Sequence, residues 1–255
     1  MNYHPRLLLL LAMIALLGTP ARAQEAADAN LITAIDVSGS IKPADERLEF
    51  EGMAAAVADP RFLQAIVRGR HGRIGFVAFT WANGEFVSLV PWTLIGSKAD
   101  ADQVAERLRN ARGIPVMGYA MPAPGNTPGD RPWRLSQATD VSATIERAIE
   151  VGAATPFASH HNVINICANG TDNVGAGPDA ARDRADARGL TVNGLVLGNR
   201  SDAGETATYF REHVQAGPGS FVIEARVFED IASAMLAKFL FELAAVRPRV
   251  AEAPT

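Results

Sequence analysis

The apolar run Leu31-Ile32-Thr33-Ala34-Ile35 ends in Asp36-Val37-Ser38-Gly39-Ser40, and helical spacing opens soon afterwards at Pro43. A buried strand that delivers a carboxylate and two hydroxyls onto the loop before a helix is a unit of an open α/β sheet. In such sheets ligands bind beyond the carboxyl ends of the strands. Carboxylate and hydroxyl oxygens are hard donors that suit Mg²⁺, an ion that keeps several waters and needs few protein carboxylates. The loop is therefore a candidate metal site, one that serves binding rather than catalysis.

The rest of the chain alternates in the same manner. Helical spacing covers Ala44 to Ala58 and Phe62 to Arg68, on either side of Asp59-Pro60. A strand runs from Arg73 to Thr80, and Asn83-Gly84 is a hairpin turn signal, so Glu85 to Trp92 returns antiparallel. Helices are predicted over Lys98 to Arg109, Thr139 to Val151, Pro178 to Arg188 and Ala203 to Glu212, and the third of these is stopped by Gly189. Strands are predicted over His161 to Cys167, Leu190 to Leu197 and Phe221 to Glu224. Val227 to Val246 closes the domain as a long helix with Ile231, Met235, Phe239 and Leu243 on one face. Alternation with one hairpin predicts an α/β fold, a mostly parallel central sheet with one antiparallel edge strand and helices on both faces.

Residues 112–138 break the alternation, with Pro115, Pro122, Pro124, Pro128 and Pro132, four glycines and no periodicity. A structureless loop longer than ~12–15 residues is usually functional or disordered. Met117, Tyr119, Met121 and Trp133 make it too apolar for a flexible linker. The tail 247–255 reads as disordered.

Ahead of the first strand the chain carries an address. Arg6, an 11-residue apolar run from Leu7 to Leu17, and Ala21-Arg22-Ala23 have the layout of a signal peptide cleaved after Ala23. The run is well short of the roughly 20 residues that span a bilayer. The expected domains are thus a signal peptide over 1–23, one domain over 24–246 with the 112–138 insertion, and the tail. Cleavage leaves 232 residues with 22 basic and 28 acidic side chains, a formal charge of −6. That length suffices for one full core, and the absence of a basic block argues against nucleic acid or an anionic membrane surface. The expected location is periplasmic or secreted. The single Cys167 lies in an apolar strand and reads as a small buried thiol.

Several stretches together resemble the von Willebrand factor A domain, most closely an uncharacterised branch of exported bacterial proteins of that type. They are Asp36 to Ser40, Asp59-Pro60, Phe79-Thr80-Trp81, Val90-Pro91-Trp92-Thr93, Asn193-Gly194-Leu195 and the run Tyr209 to Val222. The resemblance spans nearly the whole chain after Ala23. It implies a Rossmann-like fold with a metal-ion-dependent adhesion site (MIDAS). There three loops supply oxygens to Mg²⁺ or Mn²⁺, and a carboxylate of a protein partner fills the open position. Matched residue by residue, Asp36, Ser38 and Ser40 form the first loop. Thr139, at the expected head of a helix, stands for the second. The third loop has Asn169-Gly170 where the family has Asp-Gly, and Asn165 stands where the close branch often has Asp.

Exchanging Asp for Asn at 169 keeps an acceptor but removes a charge, which at 4 Å and an effective dielectric near 20 is worth several kcal/mol before solvation offsets it. Weakened metal binding is expected, with Asp172 a candidate to compensate and Asp140 a weaker one. Bland readings stand beside these: Thr139 as a helix cap, Asn169-Gly170 as a turn, His160-His161 as loop residues, Trp81 and Trp92 as packing. The expected function is a non-enzymatic, exported protein-interaction domain. The alternatives are a degenerate domain that binds its partner without metal, and a metal-assisted hydrolase with Asp172 or His161 as base. The hydrolase has least support, since no Gly-x-Ser-x-Gly elbow surrounds Ser38.

Overall fold

The structure is a computed structural model that describes residues 24–41, 43–111, 138–198 and 203–246. The expected signal peptide, the tail and all but the last residue of the 112–138 segment lie outside the described residues. In chain order the elements are β1 (Glu25–Ala26), β2 (Asn30–Asp36), α1 (Pro43–Ala58), α2 (Pro60–Val67), β3 (Ile74–Ala82), β4 (Glu85–Ile95) and α3 (Lys98–Arg109). After residues 112–137 come α4 (Val141–Ala153), β5 (Phe157–Ala158), β6 (Asn162–Ala168), α5 (Asp179–Ala187), β7 (Leu190–Leu197), α6 (Ala203–Tyr209), β8 (Val222–Ala225) and α7 (Ile231–Val246).

Six strands form one sheet in the order β4-β3-β2-β6-β7-β8, and β1 pairs with β5 as a separate two-stranded ribbon. Every pairing in the large sheet is parallel except β3 with β4, the hairpin at one edge. Its turn places Asn83 at φ 51° and Gly84 at φ 73°, the left-handed pair that the Asn-Gly sequence selects. The fold is the expected α/β arrangement.

Because β2 is buried on both faces, its alternate residues feed two separate cores. Leu31 and Ile35 pack with Phe50 and Met53 of α1, Phe62 of α2, Val104 of α3 and Phe239 of α7. Ile32 and Ala34 pack on the other face with Val141 and Ile145 of α4, Ala181 of α5 and Ala207 of α6. Ile231, Met235, Phe239 and Leu243 are buried, as their spacing predicts. Trp81 is buried and Trp92 donates its indole N–H to the Val151 carbonyl at 3.1 Å, so both act in packing.

Helix starts follow local chemistry. Asp59 caps α2 through the Arg61 N–H with Pro60 in its first turn, and Ser97 with Asp100 forms a capping box on α3. Where the expected boundaries differ, tertiary packing accounts for the difference. The helix over Ala203 to Glu212 keeps α-geometry only to Tyr209 and widens into a π-turn over Phe210–Val214. That wider turn seats the Phe210 ring on β7, where a Cβ at Gly194 would lie 2.6 Å from the ring. The last helix begins at Ile231, after a 3₁₀ turn over Phe228–Asp230. The ribbon of β1 and β5 has no sequence signature, since two residues cannot show a period.

Candidate functional site

β2 and β6 are neighbours, and the chain leaves β2 toward one face of the sheet and β6 toward the other. Their carboxyl ends therefore flank a crevice of the kind that binds ligands in open sheets. The Asp36 loop and the Asn169 loop form its two sides.

Asp36 is the last residue of β2 and is fully buried. Its Oδ1 accepts the Ser38 N–H at 2.7 Å, while Oδ2 has no hydrogen-bond partner among the described residues. The Ser38 hydroxyl lies 3.1 Å from the Ser40 hydroxyl and 3.5 Å from the Thr139 hydroxyl. Ser40 in turn donates to Asn169 Oδ1 at 2.7 Å. Asp36, Ser38, Ser40, Thr139 and Asn169, separated by up to 133 positions in the chain, thus lie in one linked cluster.

Thr139 does not head a helix, contrary to the sequence expectation. α4 begins at Val141, and Asp140 caps it by accepting the Ala143 N–H at 2.8 Å. Asp accepts at a helix start as readily as Thr and adds a favourable charge there. The hydroxyl of Thr139 is thereby left to face Ser38.

Asp172 also differs from expectation. Its Oδ2 accepts the Ser142 N–H and its Oδ1 the Val174 N–H, both at 2.9 Å. Beside it, Asn173 Oδ1 accepts the Thr139 N–H at 2.8 Å and the Asn173 N–H reaches the Thr139 carbonyl at 3.0 Å. Asp172 and Asn173 therefore clamp the third loop onto the start of α4, and both carboxylate oxygens of Asp172 are engaged with backbone N–H groups.

The other expected site residues lie elsewhere. Asn165 points to the α7 face, where its carbonyl accepts from Lys238 Nζ and its amide donates to Glu242 at 3.3 Å. His160 and His161 are exposed just before β6, a strand length of roughly 20 Å from Asn169. Burial raises the pKa of the Cys167 thiol, as suits an inert core residue.

Electrostatics single out two acids. Burial raises the pKa of Asp36 from its ordinary 3.8 to about 6, and the Ser38 backbone and hydroxyl and the Asn169 backbone offset this only in part. Glu49, on the inner face of α1, is also fully buried, and neither carboxylate oxygen has a partner among the described residues. Burial first, and then the Asp36 charge, raise its pKa well above the usual carboxylate range. Glu49 belongs to no motif in the sequence. The signal was there, because Glu49 shares a helical stripe with Phe50, Met53 and Val57, where an acid is out of place.

The cluster fits a hard divalent cation: one carboxylate with a buried unpartnered oxygen, three hydroxyls and an amide carbonyl. No group of three or more His, Cys, Asp or Glu that could hold a metal occurs among the described residues. An ion here would depend on neutral oxygens beside a single acid.

This sheet order, with a hydroxyl-rich cluster at its switch point, is that of a von Willebrand factor A-like fold. The chain belongs to the family described as protein of unknown function (DUF1194), which it matches over residues 26–121 and 127–247. No curated protein matches the chain by sequence. Among solved structures it is similar to proximal thread matrix protein 1 from the mussel byssus, at 14% identity and a TM-score of 0.55, over 86% of this chain and 47% of that one. The chain thus spans about half the length of that protein. A structure of the same mussel protein has a zinc-occupied MIDAS motif, at 18% identity and a TM-score of 0.52, over 87% of this chain and 49% of that one. Similarity also extends to the vWF domain of the type V pili tip protein Mfa5 from Porphyromonas gingivalis, at 9% identity and a TM-score of 0.57, over 89% of this chain and 99% of that domain. At these identities the likeness concerns the fold. Among the described residues no helix is long and apolar enough to cross a membrane.

Proposed function

We propose that the protein is an exported, non-enzymatic interaction domain that binds a protein partner through a Mg²⁺- or Mn²⁺-dependent adhesion site. Asp36, Ser38, Ser40 and Thr139 would hold the ion, with Asn169 as the third-loop contact. The bound ion would supply a positive centre for an acidic side chain of the partner. The observation that supports this reading is the buried Asp36 Oδ2, which has no hydrogen-bond partner among the described residues and lies beside converging hydroxyls. A buried carboxylate oxygen without a donor is costly unless a cation or proton meets it. The structural relatives named as pilus-tip and byssal matrix proteins favour an extracellular interaction role. Export would follow cleavage of the signal peptide near Ala23, leaving a domain over 24–246 with residues 112–138, which lead directly to Thr139, conferring partner specificity.

The hydrolase alternative loses its two candidate bases, since Asp172 is engaged with backbone N–H groups and His161 lies at the far end of the sheet. A metal-independent binding mode has one observation in its favour. Ser40 donates to Asn169 Oδ1, so this corner closes on itself without an ion. Calorimetric titration with Mg²⁺ separates the two readings. Saturable heat from the wild type that is absent in Asp36→Ala supports the metal site, and identical traces from both proteins would remove it.

A further inference from the structure

The end of the sheet opposite the Asp36 loop holds a cleft of about 570 Å³. It opens where β6 and β7 begin, between the ends of α4 and α5 and the β1–β5 ribbon. Its apolar lining includes Ile149, Phe157 and Leu190, and its cationic or titratable side chains are His71, His160 and Arg188. The volume lies within the roughly 300–1,000 Å³ typical of small-molecule sites.

The walls are tied together by specific bonds. Gln24 Nε2 donates to the Thr155 carbonyl at 2.9 Å, the Ala27 N–H to the Ala158 carbonyl at 2.9 Å, and the Ser159 hydroxyl to the Asp28 carbonyl at 3.1 Å. From the sheet, Asn30 Nδ2 donates to the Phe157 carbonyl at 3.1 Å, fixing the ring-bearing residue.

Among the described residues the lining carries Arg188 and two histidines. No carboxylate lines it among the described residues. Of the acids flanking it in sequence, Asp28 accepts the His71 N–H at 2.9 Å, Glu25 pairs with Arg73 and Glu150 pairs with Arg147 at 3.0 Å, while Asp186, two residues before Arg188, is exposed to solvent. The carbonyl end of α4 would attract cations where it is open, and three of its last four carbonyls are engaged. The Glu150, Val151 and Gly152 carbonyls accept the Ala154 N–H, and Val151 and Gly152 accept Trp92 Nε1 and the Thr155 N–H as well. Arg188 is exposed at the end of α5, with one N–H held by the Arg184 carbonyl at 3.3 Å. A guanidinium has five such donors and favours planar, bidentate anions.

We propose that this cleft is a second binding site, for a small organic acid whose apolar body rests on Phe157, Ile149 and Leu190 and whose carboxylate meets Arg188. The site is independent of the Asp36 loop. Phenylacetate is a suitable probe, with 2-phenylethylamine as a cation of similar shape and acetate as the charge without the ring. In ¹H–¹⁵N spectra of the purified protein, phenylacetate shifts the amides of Phe157, Ser159 and Gly189 saturably, while the other two compounds leave them in place. Arg188→Gln, an exposed change at a helix end, weakens phenylacetate at least tenfold, and Asp36→Ala leaves it unchanged. An equal response to 2-phenylethylamine, no saturable shift, or undiminished binding in Arg188→Gln would overturn the assignment.

Discussion

At the scale of single residues, two buried acids and one missing acid set the behaviour of the site. Asp36 has its pKa raised to about 6 in the fold, above its ordinary 3.8, so its contribution to stability is complete below pH 3.8 and lost as pH rises through 6. Glu49 adds to the same trend, because its pKa is also raised. Metal-free protein should therefore lose on the order of 3 kcal/mol or more between pH 4 and 8 in urea unfolding. Asp36→Asn and Glu49→Gln should each flatten that profile, and a wild-type profile that is flat or rises with pH would contradict the assignment. The missing acid is at 169. Asn169→Asp adds a charge beside the Ser40 hydroxyl and should tighten Mg²⁺ by roughly 10–100-fold in calorimetry. No gain would mean that Asn169 does not face the ion. Asn169, Asp36, Ser38 and Ser40 were all legible from spacing and resemblance. Glu49 was legible only as an acid on an apolar stripe, and its lack of a partner among the described residues is a property of the packed core.

At the scale of elements, α7 is fixed over the sheet by a buried polar group as well as by its apolar stripe. Lys238 and Glu242 are both buried and 2.5 Å apart, and Glu242 Oε1 also accepts from Asn193 at 2.9 Å. Asn165 completes the group from β6, and Lys238 lies 5.1 Å from the centre of the Phe221 ring. Removing one member of a buried pair strands the other charge, so Lys238→Met should cost about 3–5 kcal/mol in chemical denaturation. Adding Glu242→Gln to that variant should recover part of the loss, whereas additive losses would show that the pair does not act as a unit. The stripe of α7 was readable from its sequence, but the burial of Lys238 and Glu242 was not, because their partners come from β6 and β7. The same holds at the site. Local signals put Thr139 at a helix head, yet Asp140 takes the cap and the Asp172–Asn173 pair holds the loop from 30 or more positions away.

At the scale of the whole molecule, the proposed ion joins loops from β2, from the start of α4 and from β6, so binding should stabilise the fold as one unit. At a free Mg²⁺ concentration 100 times Kd the gain is about 2.7 kcal/mol. For a domain of this size that corresponds to roughly 5–10 °C in Tm. Differential scanning at pH 8 should show this rise for the wild type, its reversal by a chelator, and none of it in Asp36→Ala; equal shifts in both proteins would indicate a nonspecific salt effect. The sequence by itself determined the alternation of strands and helices, the hairpin at Asn83-Gly84, the apolar run of β2 and the residue types at the crevice. Those depend on local spacing, turn chemistry and apolar period, all written within a few residues of one another. Only the tertiary structure decided which oxygens meet, that Asp36 Oδ2 and Glu49 stand buried without donors among the described residues, and that a cleft with no carboxylate among its described lining residues forms at the opposite end. Hydrogen-bond partners and desolvation are set by segments far apart in the chain, and no local pattern encodes them.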